Sequence, residues 1–572
     1  MTVASATDVS VKDDNGLPLR SPEKVMALER LGAMHQSRLS FMRTIIRRIM
    51  RERWQITPCK MELDNQGYGT VIYTVKTFNN LFNFVLFSNY LSDTQRNDRV
   101  IATQWDLTMA LVAGEIDADY LETLRQNVPK QEAGRVDSRV LVLSRANRSA
   151  RNFNYVVDQL ANGQQPETTI ISKVGYLYRT TAVYGSGKLG MADWEKVYTQ
   201  YPDFSRPFSA EMFVCLMLRN FSLAQAEHIA QHRSPNTFKP MDKAIKRYFG
   251  IGNATGLGMA PYLINHPLLI SQWVEMREVA LARVKVLGKI TPEVEQRFQQ
   301  LLQRCKMSTE ETQIEDQWQT THNEILLKDL DRLQERTSQG FNHWSSLFDW
   351  SEDNCSVQAQ ELLVSVALEL YPELVDELEN HHSIQDCLQL DPLMPLSQLK
   401  DIFECRYQWA LDIDFNDPKA RSTFWYRSEE KQEPRLGVVN EDKGADRQMP
   451  LGIGYAISIC YQQLCQYLEQ YTDRSTARFL VDCPEFRGIV RRVQSMSQRL
   501  YGDVQCNLLD KDVLPMHLLR AKLAFFGVNK FDPKSRLWVR NTMFQGAPLL
   551  EDIGQPFNDD WFMPLAPKQK GV

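Results

Sequence analysis

At Trp54 the spacing of apolar residues changes from every third or fourth position to every second, and no single regular element can carry both patterns. Upstream, Ser21 as cap and Pro22 as first helical residue precede Met34, Met42, Ile45, Ile46 and Ile49, so one long helix is expected over 21–55. Downstream, "KMELDNQGYGTVIYTVK" alternates, with Val71, Tyr73 and Val75 on one face and turn residues at 64–67, which reads as a hairpin. The runs "LFNFVLFS", "RVIAT" and "RVLVLS", and the stretch that starts at Thr168, extend that hairpin into an antiparallel sheet. Helices over 105–113 and 150–162 are expected to pack on it.

From Met191 onward the signals are helical. Ser222 with Gln225 and Ser308 with Glu311 have capping-box spacing, and Thr291-Pro292 and Asn265-His266-Pro267 pair a polar cap with proline. The fold class that follows is mainly α-helical, with a smaller α+β region containing an antiparallel sheet near the N-terminus. The expected order is a disordered tail over 1–20, the basic-ended helix over 21–55, an α+β domain over 56–190, and helical domains over 191–350 and 351–572. The last of these carries a polar loop at 427–450.

The balance of 66 basic against 71 acidic residues gives a net charge of -5, which argues against general affinity for nucleic acid or anionic membranes. No window approaches the roughly 20 apolar residues that a membrane-spanning helix needs. The start, "MTVASATDVSVKDDNG", has no leader pattern, and the ten cysteines, with no CxxC, sit in apolar surroundings such as "MFVCLML". A cytoplasmic protein with buried, reduced thiols is the expectation. The basic run Arg43, Arg47, Arg48, Arg51 and Arg53 suits a carboxylate-rich neighbour, a phosphorylated ligand or an RNA, or is simply the polar face of a core helix.

Glycines recur in "YFGIGNATGLGMAPY", but the residues before Gly250 have helical spacing where a dinucleotide site requires a strand. Gly250 then reads as a helix cap. Asn253, Gly256 and Gly258 admit either a close helix contact or a ligand. A second loop, Gly185-Ser186-Gly187-Lys188, lies between a strand and a helix, an order that aims backbone N–H groups and a lysine at an anion. It is not a Walker A loop, since Leu189 replaces the magnesium-binding hydroxyl. Four residues separate His228 from His232, as in helical metal sites, yet Glu227 is misplaced for HExxH, and both rings fit a polar face near a helix carboxyl end.

The segment "FWYRSEEKQEPRLG" sets three aromatics against alternating charge. Arg427, Glu429 and Glu430 are its candidate catalytic groups, and Trp425 and Arg435 are candidate substrate contacts. No NAD, ATP or metal motif is recognisable, and the cofactor is unknown. The functional expectation is a cytoplasmic enzyme acting on a small anionic substrate, one bearing carboxylate or phosphate. The alternative is a non-catalytic helical interaction protein, and a homo-oligomer is open in either case.

Overall fold

The structure is a computed structural model that describes residues 12–92, 105–130, 136–185, 197, 199–253, 267–338, 340–381, 388–416, 425–428, 434–436, 448–450, 453–471, 474–505, 524–528, 530–533, 539–555 and 559–568. Its strands in chain order are β1 (Gln55–Leu63), β2 (Gly69–Lys76), β3 (Leu81–Ser88), β4 (Leu107–Ala113), β5 (Val140–Arg148), β6 (Tyr176–Gly185), β7 (Gly250–Asn253), β8 (Trp425–Ser428), β9 (Pro434–Leu436), β10 (Gln448–Pro450), β11 (Lys530–Pro533) and β12 (Val539–Met543). The chain divides into a helical unit, residues 1–35, 257–299 and 329–522, and a sheet unit, residues 36–256, 300–328 and 523–572.

The sheet unit is built on nine strands in the order β1-β2-β3-β4-β5-β6-β7-β12-β11. All neighbours are antiparallel except β6 and β7, which run parallel. The sheet is therefore mixed and not purely antiparallel as the alternation predicts. Parallel neighbours need a crossover, and here it contains the helix Ser209–Arg233. The strand that ends the crossover, "GIGN", is too short and glycine-rich to show a period.

The hairpin forms where expected, and "LFNFVLFS" is β3. "RVIAT" lies outside the described residues. The expected helix over 105–113 is instead β4, every residue of which is buried between β3 and β5. A strand covered on both faces loses its alternation, and its apolar run is then indistinguishable from a core helix by period. The stretch after Thr168 begins as a helical turn, Thr168–Ile171, before β6 starts at Tyr176.

The helix expected over 21–55 is three helices: Pro22–Val25, Leu28–Ala33 and Phe41–Arg51. Between the last two, Ser40 Oγ accepts the Ser37 N–H at 3.0 Å and Ser37 Oγ accepts the Leu39 N–H at 3.3 Å. These side-chain bonds offer the backbone an alternative to helix continuation. On Phe41–Arg51, Arg43 and Arg47 are buried against Asp559, which Arg38 also meets at 2.9 Å. Their counter-charge comes from the far end of the sequence, while Arg51 and Arg53 are exposed.

Ser209–Arg233 spans 25 residues and packs on β4 to β7 and on helix Phe153–Ala161. Ser222 and Gln225, spaced like a capping box, lie inside it, because buried positions continue on both sides of them, from Ser209 to Ala230. Ser308 likewise sits within helix Pro292–Glu310, near its end. The opposite sheet face, carrying Ile72, Val85, Ala110 and Val112, is covered by Leu121 and Leu124 of helix Ala118–Asn127.

In the helical unit, helix Val357–Leu370 is buried at every position after the first. Its Glu361 meets Arg20 at 2.7 Å, Arg30 at 2.7 Å and Arg277 at 2.6 Å, and Arg20 also holds Glu278 at 2.6 Å. A second core gathers Leu399, Phe403, Ile457, Leu464, Phe479 and Val493. The strands β8, β9 and β10 form a separate small sheet in the order β10-β8-β9. Among the described residues no helix is long and apolar enough to cross a membrane, and eight cysteines are free thiols, of which Cys215, Cys305, Cys460 and Cys483 are buried.

Candidate functional site

The β1–β2 turn is the first wall of a pocket in the sheet unit. Asp64 Oδ1 accepts the backbone N–H groups of Gln66 at 2.8 Å and Tyr68 at 2.9 Å, an Asx turn that closes the hairpin locally. Gly67 sits at φ +79°, and a methyl group there would come within 2.9 Å of Ile229. The turn thus rests directly on the last turns of Ser209–Arg233. His228 Nε2–H donates to the Asp64 carbonyl at 2.8 Å, fixing the contact from the helix side.

The segment after β3 supplies Tyr90 and Leu91, the end of β5 supplies Arg148, and the first turns of helix Phe153–Ala161 supply Phe153, Asn154 and Val157. With Asn65, Gln66, Tyr68, Ile229, His232 and Arg233 they enclose about 490 Å³. That lies within the range of pockets that take small organic ligands. Leu91, Val157 and Ile229 are buried and form an apolar floor. Among the described residues no aspartate or glutamate lines the pocket.

Arg148 is the central group. Its guanidinium carbon lies 4.4 Å from the Phe153 ring centre and 5.3 Å from that of Tyr68, so two rings hold the cation. Arg148 Nε donates to Tyr178 Oη at 2.9 Å, which donates to Gln225 Oε1 at 2.7 Å. Gln225 Nε2 in turn reaches the Gly67 carbonyl at 2.7 Å and Ser88 Oγ at 3.0 Å. This chain ties the arginine to the turn, to β3 and to the long helix. Nη2 has no acceptor among the described residues. Burial opposes the cation, but Tyr178 and Asp106 outweigh it and raise the pKa above the ordinary arginine value.

One further feature favours an anion. Helix Phe153–Ala161 has no side-chain cap, because the Asn152 amide is turned to the Tyr176 carbonyl at 3.4 Å, so the positive helix end that opens with Phe153 and Asn154 lies at the pocket. His232 Nδ1 lies 2.8 Å from the His228 carbonyl. A carbonyl only accepts, so Nδ1 carries the proton and Nε2 of the neutral ring keeps its lone pair. Arg233 pairs with Asp158 at the rim. The His228 and His232 rings lie 4.2 Å apart, each with one nitrogen committed to a backbone carbonyl.

The residues singled out from sequence fall elsewhere. Gly185 ends β6 opposite Val142, while Ser186, Gly187 and Lys188 lie outside the described residues. Gly250 is no helix cap: it opens β7, where a methyl group would come within 2.2 Å of the Met543 carbonyl. The close approach its glycines permit is to β12 and, at Gly252, to the Tyr176 ring, which a methyl group there would meet at 2.5 Å. Asn253 pairs with Thr180 and Asn541, and Gly256 and Gly258 lie outside the described residues. Trp425 and Arg427 are on β8 and Arg435 is on β9, with Arg435 opposite Tyr426 and Arg427 opposite Pro434. Glu429 and Glu430 lie outside the described residues.

Sequence reasoning missed Arg148, Tyr68, Tyr90, Phe153 and the place of His232. The signal available was "RANRSARNFN", a strand end running through three arginines and two asparagines into a helix start at Phe153. That is the same anion-aiming order sought at Gly185, without the glycines that draw attention to it. Comparison with known protein families, with curated proteins and with solved structures finds no match.

Proposed function

We propose that the protein is a cytoplasmic enzyme acting on a small anionic organic molecule, and that the Arg148 pocket is where it binds that molecule. One observation carries the reading: a cation braced by two rings and a hydrogen-bond chain lines a pocket whose described walls contain no carboxylate. Held by Tyr178 at Nε, Arg148 keeps donors for a carboxylate or phosphate, and the uncapped helix end adds backbone N–H groups beside it. His232 Nε2 on the same wall supplies a base, which is the support for catalysis over simple binding. The earlier assignment of Arg427, Glu429 and Glu430 as catalytic groups, with Trp425, Arg435 and the glycine loops as contacts, is a separate proposal that the Arg148 pocket does not need.

The test is retention of ligands from a defined mixture of phosphorylated and carboxylated metabolites, read by mass spectrometry after gel filtration, for wild type and Arg148→Gln. Retention of at least one anion by wild type and its loss in Arg148→Gln, with a melting temperature lowered by only a few degrees, is expected. A charge-assisted hydrogen bond contributes about 1.5–3 kcal/mol, so the loss should be roughly tenfold to a hundredfold. If no anion is retained, or the variant retains it equally, the reading fails.

A further inference from the structure

A second cationic surface lies on the sheet face turned away from helix Ser209–Arg233, and we infer that it binds a diphosphate group over Tyr176. Successive residues of a strand face opposite ways. Tyr178 reaches Gln225 of that helix, so Arg179 points to the other side. Strand pairing then sets Arg179, Gly252, Thr542 and Lys530 in one row across β6, β7, β12 and β11. Arg540, two residues before Thr542, shares their face. Between the two arginines β7 offers only Gly250 and Gly252, so the glycine run leaves a gap in the side-chain layer. Its floor is the Tyr176 ring, which a methyl group at Gly252 would meet at 2.5 Å. The register shift between Tyr176 and Arg179 brings both to this face.

The side chains of Arg151, Lys173 and Arg179 make no hydrogen bond or ion pair among the described residues, and Arg151 and Lys173 are exposed. Arg151 stands on the turn that the Ser149 N–H and the Asn152 amide tie to the Leu177 and Tyr176 carbonyls, at 2.8 and 3.4 Å. Arg540 Nη1 donates to the Lys173 carbonyl at 2.9 Å. Lys530 is held by the Ser172 carbonyl at 2.6 Å, and Asp532 opposite Arg540 is buried and accepts the Gln313 N–H at 3.0 Å. Burial raises the Tyr176 phenol above its ordinary value, and Arg540, Arg179 and Arg151 each draw it down, so three guanidinium groups stand within electrostatic reach of one hydroxyl. That hydroxyl makes no hydrogen bond among the described residues. Guanidinium groups beside an open hydroxyl suit phosphoryl oxygens. Three arginines and a lysine call for more than one negative charge, and Arg179 and Arg540 start two strands, about 10 Å, apart. A diphosphate spreads its charge over two phosphoryl groups and answers that spacing better than a phosphate or a carboxylate.

The experiment is isothermal titration of the full chain with pyrophosphate, ADP as a diphosphate ester, orthophosphate and malonate. Wild type is compared with Arg151→Gln, Arg179→Gln, Tyr176→Phe and Arg148→Gln. Arg151 is too exposed to be needed for folding, and Tyr176→Phe keeps the ring on Gly252 while removing the hydroxyl. Pyrophosphate or ADP should bind about tenfold or more tightly than orthophosphate or malonate. ADP exceeding pyrophosphate identifies an ester as the ligand, and the reverse identifies the free anion. Arg151→Gln and Arg179→Gln should each weaken binding about tenfold, Tyr176→Phe about threefold to tenfold, and Arg148→Gln not at all. Absence of binding, equal affinity for all four anions, or wild-type affinity in both Arg151→Gln and Arg179→Gln overturns the site. Wild-type affinity in Tyr176→Phe also overturns it, since the attraction is then diffuse charge. A loss confined to Arg148→Gln moves the diphosphate to the Arg148 pocket, which overturns this site and leaves that reading standing.

Discussion

Two arginines without a carboxylate partner among the described residues show how a structural cation differs from a functional one. Arg219 is fully buried, and its donors go to the carbonyls of Phe249, Pro548, Lys246, Arg247 and Ala547 at 2.7 to 3.4 Å. Burial, aided by Arg247, pushes its pKa down to about 9, which leaves it charged at neutral pH. It welds the end of helix Lys243–Tyr248 to the segment after β12, and nothing is left for a ligand. Among the described residues the Arg148 side chain donates at Nε alone, and its Nη2, buried from solvent, has no acceptor. Arg219→Lys, which cannot reproduce the fork, should therefore lose about 2–4 kcal/mol in denaturant titration. Arg148→Gln should change stability by about 1 kcal/mol or less. Similar losses in both would make Arg148 a structural residue.

At the level of elements, the β1–β2 turn sets the pocket wall. Gly67→Ala places a side chain at φ +79° and against Ile229, so it should cost about 1–3 kcal/mol and weaken anion binding together with stability. Gly288→Ala, where a methyl group meets nothing within 4 Å, is the matched control. Strand β1 is an edge of the sheet, and it carries the devices that discourage pairing with another chain: Pro58, an irregularity between Pro58 and Lys60, and Lys60 itself. The turn, β3, β5 and helix Phe153–Ala161 were legible because each shows its own period or turn chemistry. Strand β4 was not, since burial on both faces erases alternation, and β7 was not, since four residues cannot show it. The pocket was illegible for a different reason. Tyr68, Tyr90, Arg148 and His232 stand on four elements whose adjacency depends on sheet order and on the crossover helix, which no local pattern records.

Across the whole molecule, charge is buried in compensated clusters, and these set the response to acid. Burial would raise Glu361, but Arg20 and Arg277 outweigh it and hold the carboxyl well below its usual range. Burial likewise opposes Asp559, and Arg43, Arg47 and Arg38 hold it down. Both carboxylates have folded pKa values below their unfolded values of about 4.3 and 3.9. Their stabilisation is full above those values and is lost as pH falls through the folded ones. The denaturation midpoint should thus fall steeply below about pH 4, and Glu361→Gln should flatten that slope at the cost of lower stability at pH 7. A midpoint independent of pH down to about 3 would mean that these clusters contribute little.

The central claim, that a small anion binds at Arg148, is tested most directly by hydrogen–deuterium exchange of the full chain with and without saturating ribose 5-phosphate. Slowed exchange confined to peptides covering 64–68, 148–157 and 228–233 is the predicted result. Protection at 186–188 or 425–436 with those peptides unchanged would contradict it and move the site to the segments first marked in the sequence.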